Sequence, residues 1–293
     1  MVEANPGNPL ALRRCPICAA SGGSEVFREV GVVLVRCPSC RHVHSTHELA
    51  GGGDHYWGDG PVEIDEESQH YWSTARMPCY RQFLSRYAAD RGRIVDVGAG
   101  LGFFVKAAKD AGWDAHGWEM SRGAVAWGSE HLGLDSLHAG PVEEGGIAPG
   151  SIDVLTLWDV IEHLPDPVAL LRFAHEVLRP GGLVFLQTPS VDFQLRRATL
   201  QRRLRGLGED VGLMEARDHL NDFTPSSIRV ALESAGFTDV RFEILWPTLS
   251  LAGGRSLAGG GLKLAWWALA RGLFFLSRGR WNVSNTLHVT ARA

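Results

Sequence analysis

The chain has 293 residues, of which 45% are hydrophobic, so it can bury one large core with room for a small accessory module. Its formal net charge of -4 gives no global basic field for holding nucleic acid. It shows no basic start followed by an apolar signal core, and no apolar run reaches the ~18 residues that span a bilayer, so a cytoplasmic protein is the default expectation.

The first 50 residues are rich in Cys, Pro and His. Cys15-Pro-Ile-Cys18 and Cys37-Pro-Ser-Cys40 are two Cys-x-x-Cys knuckles separated by 18 residues, a spacing suited to a four-thiolate zinc site. Glu25 to Phe27 and Val32 to Val35 read as paired strands between them, so a zinc ribbon is expected over 1–50. Four thiolates close the coordination shell, which makes Zn2+ structural rather than catalytic. A metal-free module and an iron–sulfur site are the alternatives. Arg13, Arg14, Arg36 and Arg41 are too few to mark a nucleic-acid surface. Residues 51–91 form an expected linker with cofactor-covering helices, and Cys79 reads as a buried thiol.

From 92 onward strands and helices alternate. Strands are expected at 93–97, 115–119, 152–158, 183–187, 240–245 and 286–290. Helices are expected at 102–111, 124–132, 167–178 and 225–235, the last with Thr224 as N-cap. Such alternation means a parallel sheet covered on both faces, with ligands at the carboxyl ends of the strands.

Gly98, Gly100 and Gly102 occupy the first strand-to-helix turn of this region, where a ligand must approach backbone. Asp96 lies at the strand end and Glu119 ends the next strand, placed to accept from two ribose hydroxyls. A dinucleotide fingerprint wants Gly or Ala at 103, and this chain has Phe103. The acidic loop repels a pyrophosphate and suits a ligand bearing an ammonium and a sulfonium. A bare turn and a dinucleotide site are the other readings.

With the segments Val95-Asp-Val-Gly-Ala-Gly-Leu-Gly102, 153–167, 178–189, and His219-Leu-Asn-Asp-Phe-Thr-Pro225 before Ala235-Gly-Phe237, the chain resembles class I S-adenosylmethionine-dependent methyltransferases. The likeness runs over about 71–240. It is strongest to the subgroup containing quinone-biosynthesis O-methyltransferases and sugar or antibiotic tailoring enzymes. The resemblance implies a Rossmann-like α/β fold: a seven-stranded sheet with its last strand antiparallel and helices on both faces, plus the small N-terminal ribbon. It implies that Asp96, Gly98, Gly100 and Gly102 meet the methionine half of S-adenosyl-L-methionine, Glu119 the ribose, and Met120 and Val142 the adenine. Trp158 and Asp159 would lie along the methionine chain, with Tyr71 and Arg76 closing over it and Arg76 pairing with the methionine carboxylate or remaining a surface charge. Gly140 stands where many members carry an acidic residue, and Glu143 is its substitute.

Glu162 and His163 follow strand 152–158 at the mouth where an acceptor atom must arrive. His163 suits a general base, or caps its short helix; Glu162 is expected to point elsewhere, orienting substrate. His219, in a lid-like loop, is a second base or a loop hydrogen-bond partner. The acceptor is expected to be a small molecule (sugar, quinone or secondary metabolite), O- or C-methylated. An RNA- or protein-modifying enzyme that uses the ribbon for recognition, and a catalytically dead binding protein, are the alternatives.

The segment 247–284 is an expected helical insertion. On a wheel, Leu262, Trp266, Leu269, Leu273 and Leu276 share one face and Lys263, Arg271 and Arg278 the opposite one, with Trp267 and Phe274 beside the basic side. Packing against the sheet, a peripheral membrane or lipid-linked substrate contact through 262–278, and a homodimer surface are all compatible with this; the chain is a monomer or a homodimer. Five arginines within 196–205 form a second basic cluster, suited to an anionic substrate or to solvent.

Overall fold

The computed structural model describes residues 14–47, 58, 60–249 and 257–293. The outer ends of the expected ribbon, much of the 51–60 stretch and part of the 247–284 insertion lie outside these residues, and Arg13 with them.

Three strands open the chain: β1 (Ser24–Glu29), β2 (Val32–Arg36) and β3 (Val43–Ser45). Next come α1 (Glu66–His70), capped by Asp65 accepting from the Ser68 N–H, a π-helical turn (Tyr71–Ala75), and α2 (Met77–Arg86). The main body runs β4 (Arg93–Val97), α3 (Phe103–Asp110), β5 (Asp114–Glu119), α4 (Arg122–Leu132), β6 (Leu137–Ala139), β7 (Ile152–Trp158), α5 (Pro167–Val177), β8 (Leu178–Pro189), α6 (Val191–Arg205), β9 (Asn221–Asp222), α7 (Pro225–Ser234), β10 (Thr238–Glu243), α8 (Leu257–Leu276) and β11 (Thr286–Arg292).

The large sheet has the order β10-β11-β8-β7-β4-β5-β6. β4 pairs in parallel with β5 and β7, β5 with β6, and β7 with β8, whereas β11 runs antiparallel between β8 and β10. The expected seven-stranded sheet with an antiparallel last strand is therefore present. Strand order reverses between β4 and β7, so their carboxyl ends open a crevice. One face is sealed by α2 and α3 through Phe83, Leu84, Phe104 and Ala108, the other by α5 and α7 through Leu171, Ala174, Ile228 and Leu232. The parallel strands are buried on both faces, which explains their unbroken apolar runs.

Three expectations shift. β8 begins at Leu178, already paired with Ile152, and Arg179-Pro-Gly-Gly loops out before pairing resumes at Leu183 with Val154. The Pro-Gly-Gly signal thus marks an irregularity within a strand as well as the end of α5. The ribbon is also less separate than expected. Its sheet has the order β1-β2-β3-β9, and β9 is contributed from the far side of the chain.

The third shift concerns α8. Trp267, Leu273 and Phe274 are half-buried and Ala270 is fully buried. The Trp267 Nε1–H donates to the Leu245 carbonyl at 2.7 Å and its ring meets Trp246. Of the expected leucine face, Leu273 is half-buried while Leu262 at 73%, Leu269 at 52% and Leu276 at 80% are exposed. A wheel cannot tell inward from outward when both sides are apolar. The carbonyl partner of Trp267 decides it.

Candidate functional site

The crevice is built around backbone that only glycine tolerates. Gly98 has φ +70, and a Cβ there would lie 2.5 Å from Val160 Cγ2; at Gly102, φ is +85 and a Cβ would lie 2.6 Å from Leu134 Cδ1. Gly102 therefore serves the packing of α3, while Gly100 points its N–H at the Glu119 carboxylate, 2.8 Å away. Glu119 also accepts from the Ser121 N–H at 3.0 Å. That carboxylate ties two loops together at the end of β5, where a ribose would find it half-buried. Met120 beside it is exposed, and Val142, in the turn after β6, is buried. Glu143, in the same turn, is exposed.

Asp96 is buried at the carboxyl end of β4 and accepts from the Thr156 hydroxyl at 2.7 Å. Burial pushes its pKa up to about 7, against the opposing pull of that hydrogen bond and of Arg76.

Arg76 is the largest departure from surface behaviour. It is only 2% exposed, ion-paired to Asp159 at 2.9 Å, and enclosed by the rings of Tyr71, Trp72 and Tyr80 at 5.0 to 5.8 Å. Its Nη2 is buried without a hydrogen-bond partner. Asp159 itself adopts φ +55, a strained conformation for a non-glycine residue, and receives the Gln187 Nε2–H at 2.8 Å. A buried guanidinium with one unused fork, facing the switch point, fits an anionic group such as the carboxylate of methionine. Tyr71 and Arg76 thus meet at one place. Trp158 does not join them: its ring lies in the core between Phe104 and Phe185, so only its backbone borders the crevice.

A second cluster lies after β7. Side-chain ligand atoms of Glu162, His163 and His219 all fall within 4.8 Å of one another, correcting the expectation that Glu162 turns away from His163. Glu162 and His163 lie in the short 3-10 turn Ile161–His163, and their side chains converge there with that of His219. His163 Nδ1 lies 2.9 Å from the Asp218 carbonyl. A carbonyl only accepts, so Nδ1 carries the proton and Nε2 is left as the acceptor. His219 is buried, edge-on to His163 at 4.9 Å, with Nε2 3.4 Å from Glu215. Burial, with the neighbouring His163, pushes its pKa down to about 4, which keeps it neutral. Both Glu162 oxygens are buried and unpartnered, and burial together with the Asp159 carboxylate holds its carboxyl well above the usual range. A carboxyl group that burial keeps protonated and two imidazoles, that of His219 neutral, therefore share one corner.

The ribbon closes that corner from outside. Asn221 of β9 accepts from His42 at 3.0 Å and donates to the Leu164 carbonyl, one residue past His163, at 2.6 Å. Buried Glu29 of β1 accepts from the Leu213, Met214 and Ala216 N–H groups in the loop leading to His219. The cysteine sulfurs are gathered within 4.8 Å, with Cys15–Cys40 and Cys18–Cys37 both at 3.6 Å. A tetrahedron with Zn–S bonds of about 2.3 Å has edges of about 3.8 Å. The donor set and spacing fit zinc.

Thr156, Gln187, Asn221 and Glu29 were not singled out in the sequence. Gln187 alone left a trace, as the polar residue ending the apolar run Leu183-Val-Phe-Leu186.

A family model described as a methyltransferase domain matches residues 69–241. Over 147 residues the chain is 31% identical to the ubiquinone biosynthesis O-methyltransferase of Methylococcus capsulatus, covering 48% of this chain and 60% of that protein. Over 105 residues it is 37% identical to the protein of the same name from Ralstonia nicotianae, covering 33% and 42%. The chain thus spans about half the length of the curated relatives it matches. Among solved structures, an S-adenosylmethionine dependent methyltransferase from Mesorhizobium loti aligns with a TM-score of 0.50 at 19% identity, over 76% of this chain and all (100%) of that one. The magnesium protoporphyrin IX methyltransferase of Synechocystis, with bound SAH, gives 0.50 at 16% identity over 80% and 90%. At such identities the structural likeness speaks for the fold alone.

Proposed function

Because the chain belongs to the methyltransferase domain family, we propose that it transfers a methyl group from S-adenosylmethionine to a hydroxyl of a small-molecule acceptor. The observation that carries this reading is the buried Arg76, whose free Nη2 shares the switch-point crevice with Asp96, Asp159 and Glu119. The curated relatives named above favour oxygen over carbon as the accepting atom. The bound donor supplies an electrophilic methyl on sulfur. The protein holds the donor by its two ends: Arg76 at the carboxylate, Asp96 toward the ammonium, Glu119 at the ribose. His163 Nε2 takes the acceptor proton, and Glu162, held neutral, donates a hydrogen bond to an acceptor oxygen. His219 lies against His163 and keeps it from turning.

Calorimetry with S-adenosylmethionine tests the donor half, and absence of binding would favour a dead fold. The pH dependence is specific. A cation beside Asp96 prefers the carboxylate ionised, so affinity should rise with pH up to about 7 and then level off, with a proton released on binding below that value. Without the donor the sign is opposite: the buried neutral Asp96 favours the fold most below about 4, and that contribution fades as pH rises to about 7. An affinity independent of pH between about 5 and about 8 would remove Asp96 from the donor site.

We assign Zn2+ to Cys15, Cys18, Cys37 and Cys40 as a structural ion, and the ribbon to walling the acceptor site. Buried Cys15, Cys37 and Cys40 pack into the apolar cluster that includes Phe223 and Ile228, which leaves the knuckles little surface for recognising RNA or protein. Elemental analysis should give one zinc per chain, about the stoichiometry of any closed four-thiolate site. Stripping it should raise amide exchange at Asn221 and Asp222 while donor binding persists. Unchanged exchange after removal would separate the ribbon from the acceptor wall.

A further inference from the structure

The outward side of α8 is apolar in a way that solvent does not explain. Between Leu257 and Leu276, Lys263 and Arg271 are the only polar side chains. Besides the three exposed leucines, Phe275 is 81% exposed and Trp266 39%, and Trp281 just beyond the helix is 64% exposed. A contiguous apolar stripe of this kind marks a surface that something covers.

Charge identifies the cover. Residues 244–293 contain six Lys or Arg and no Asp or Glu, in a chain whose net charge is -4. The cations Arg271, Arg278 and Arg280 are exposed around the C-terminal half of the helix. α6 joins the same surface through the Phe193–Trp266 ring contact at 5.7 Å. It adds exposed Arg196, Arg197, Arg203 and Arg205 beside exposed Leu200 and Leu204. A second copy of the chain would bring like charges together, whereas an anionic surface neutralises them. No helix among the described residues is long and apolar enough to cross a membrane. Trp, Phe and Leu on one side with Arg at the flanks is the pattern of a helix lying in a lipid interface.

We infer that the outward face of α8, with the basic end of α6, docks the protein on an anionic lipid bilayer. Docking on lipid needs no methyl transfer to act, so its test is independent of the proposed activity.

The full chain is floated with phosphatidylcholine vesicles containing roughly one third phosphatidylglycerol, and with phosphatidylcholine alone. Flotation with the anionic vesicles should be about tenfold or more stronger, because each cation near such a surface contributes about fivefold. High salt should abolish most of the difference. Leu269→Glu with Phe275→Glu should lower partitioning by about tenfold or more, with an unchanged urea unfolding midpoint as the check on folding. In the unaltered chain, acyl-chain-brominated lipid should quench tryptophan fluorescence, a readout needing no variant. No flotation on either vesicle, equal flotation on both, or no quenching would overturn the proposal. So would a dimer dispersed by the double substitution, which would make a second copy the occupant.

Discussion

His163→Ala is expected to slow methyl transfer about 10²- to 10⁴-fold while leaving donor affinity nearly unchanged. The Asp218 carbonyl commits Nδ1 to donating and leaves Nε2 free to accept the acceptor proton. Removing the imidazole removes that acceptor and nothing that touches Arg76, Asp96 or Glu119. Neighbouring His219 cannot take over fully, since it is buried and burial lowers its basicity. Single-turnover rates with an acceptor that supports wild-type turnover, beside calorimetry for the donor, separate the two effects. Added imidazole should restore part of the rate. An unaltered rate, or a parallel loss of donor affinity, would sink the base assignment. Glu162→Gln should have a milder effect, because the amide keeps a donor where the protonated carboxyl stood.

Arg76→Leu should do damage of a different kind. It takes one partner from a buried ion pair, and such truncations cost about 3–5 kcal/mol. Here the lower end applies, because Asp159 is about a third exposed and keeps the Gln187 donor. Urea unfolding would read that loss as a lower midpoint at constant slope. If Arg76 also holds the methionine carboxylate, S-adenosylhomocysteine affinity should fall about tenfold or more, in line with loss of a charge-assisted contact. Methylthioadenosine, which has no amino-acid portion, should bind the variant as it binds the unaltered chain. Equal losses for both ligands would mean that Arg76 only supports the fold.

Much of the glycine crevice was legible in the sequence because it is made of local signals. Gly98, Gly100 and Gly102 must follow a strand and open a helix. Asp96 and Glu119 must end successive strands. Strand periodicity and glycine stereochemistry operate over a few residues, and both read directly from the chain. The cysteine knuckles are likewise local, and their four sulfurs do come together.

The corner of Glu162, His163 and His219 was legible only in part. His163 and His219 were singled out, yet their contact, and the approach of Glu162 to them, depend on a loop whose Asp218 lies 55 residues from His163. Gln187 and Asn221 carry no local mark of a role. Arg76 was weighed against an ordinary surface charge, and the rings that enclose it come from both sides of it in the chain: Tyr71 and Trp72 from a π-helical turn and Tyr80 from α2.

By itself the sequence determined the sheet class, the glycine crevice and the four-thiolate cluster, because each rests on backbone geometry or ligand spacing within one or two elements. Only the tertiary structure decided that Arg76 is buried with an unused donor, that the ribbon shares a strand ladder with β9 beside the histidines, and that α8 turns Trp267 inward and Leu262, Leu269 and Leu276 outward. Those outcomes depend on which distant group supplies a partner for a buried polar atom: Asp159 for Arg76, Asn221 for His42, the Leu245 carbonyl for Trp267. Pairing of that kind is a property of the folded neighbourhood, and hydrophobic periodicity carries no record of it.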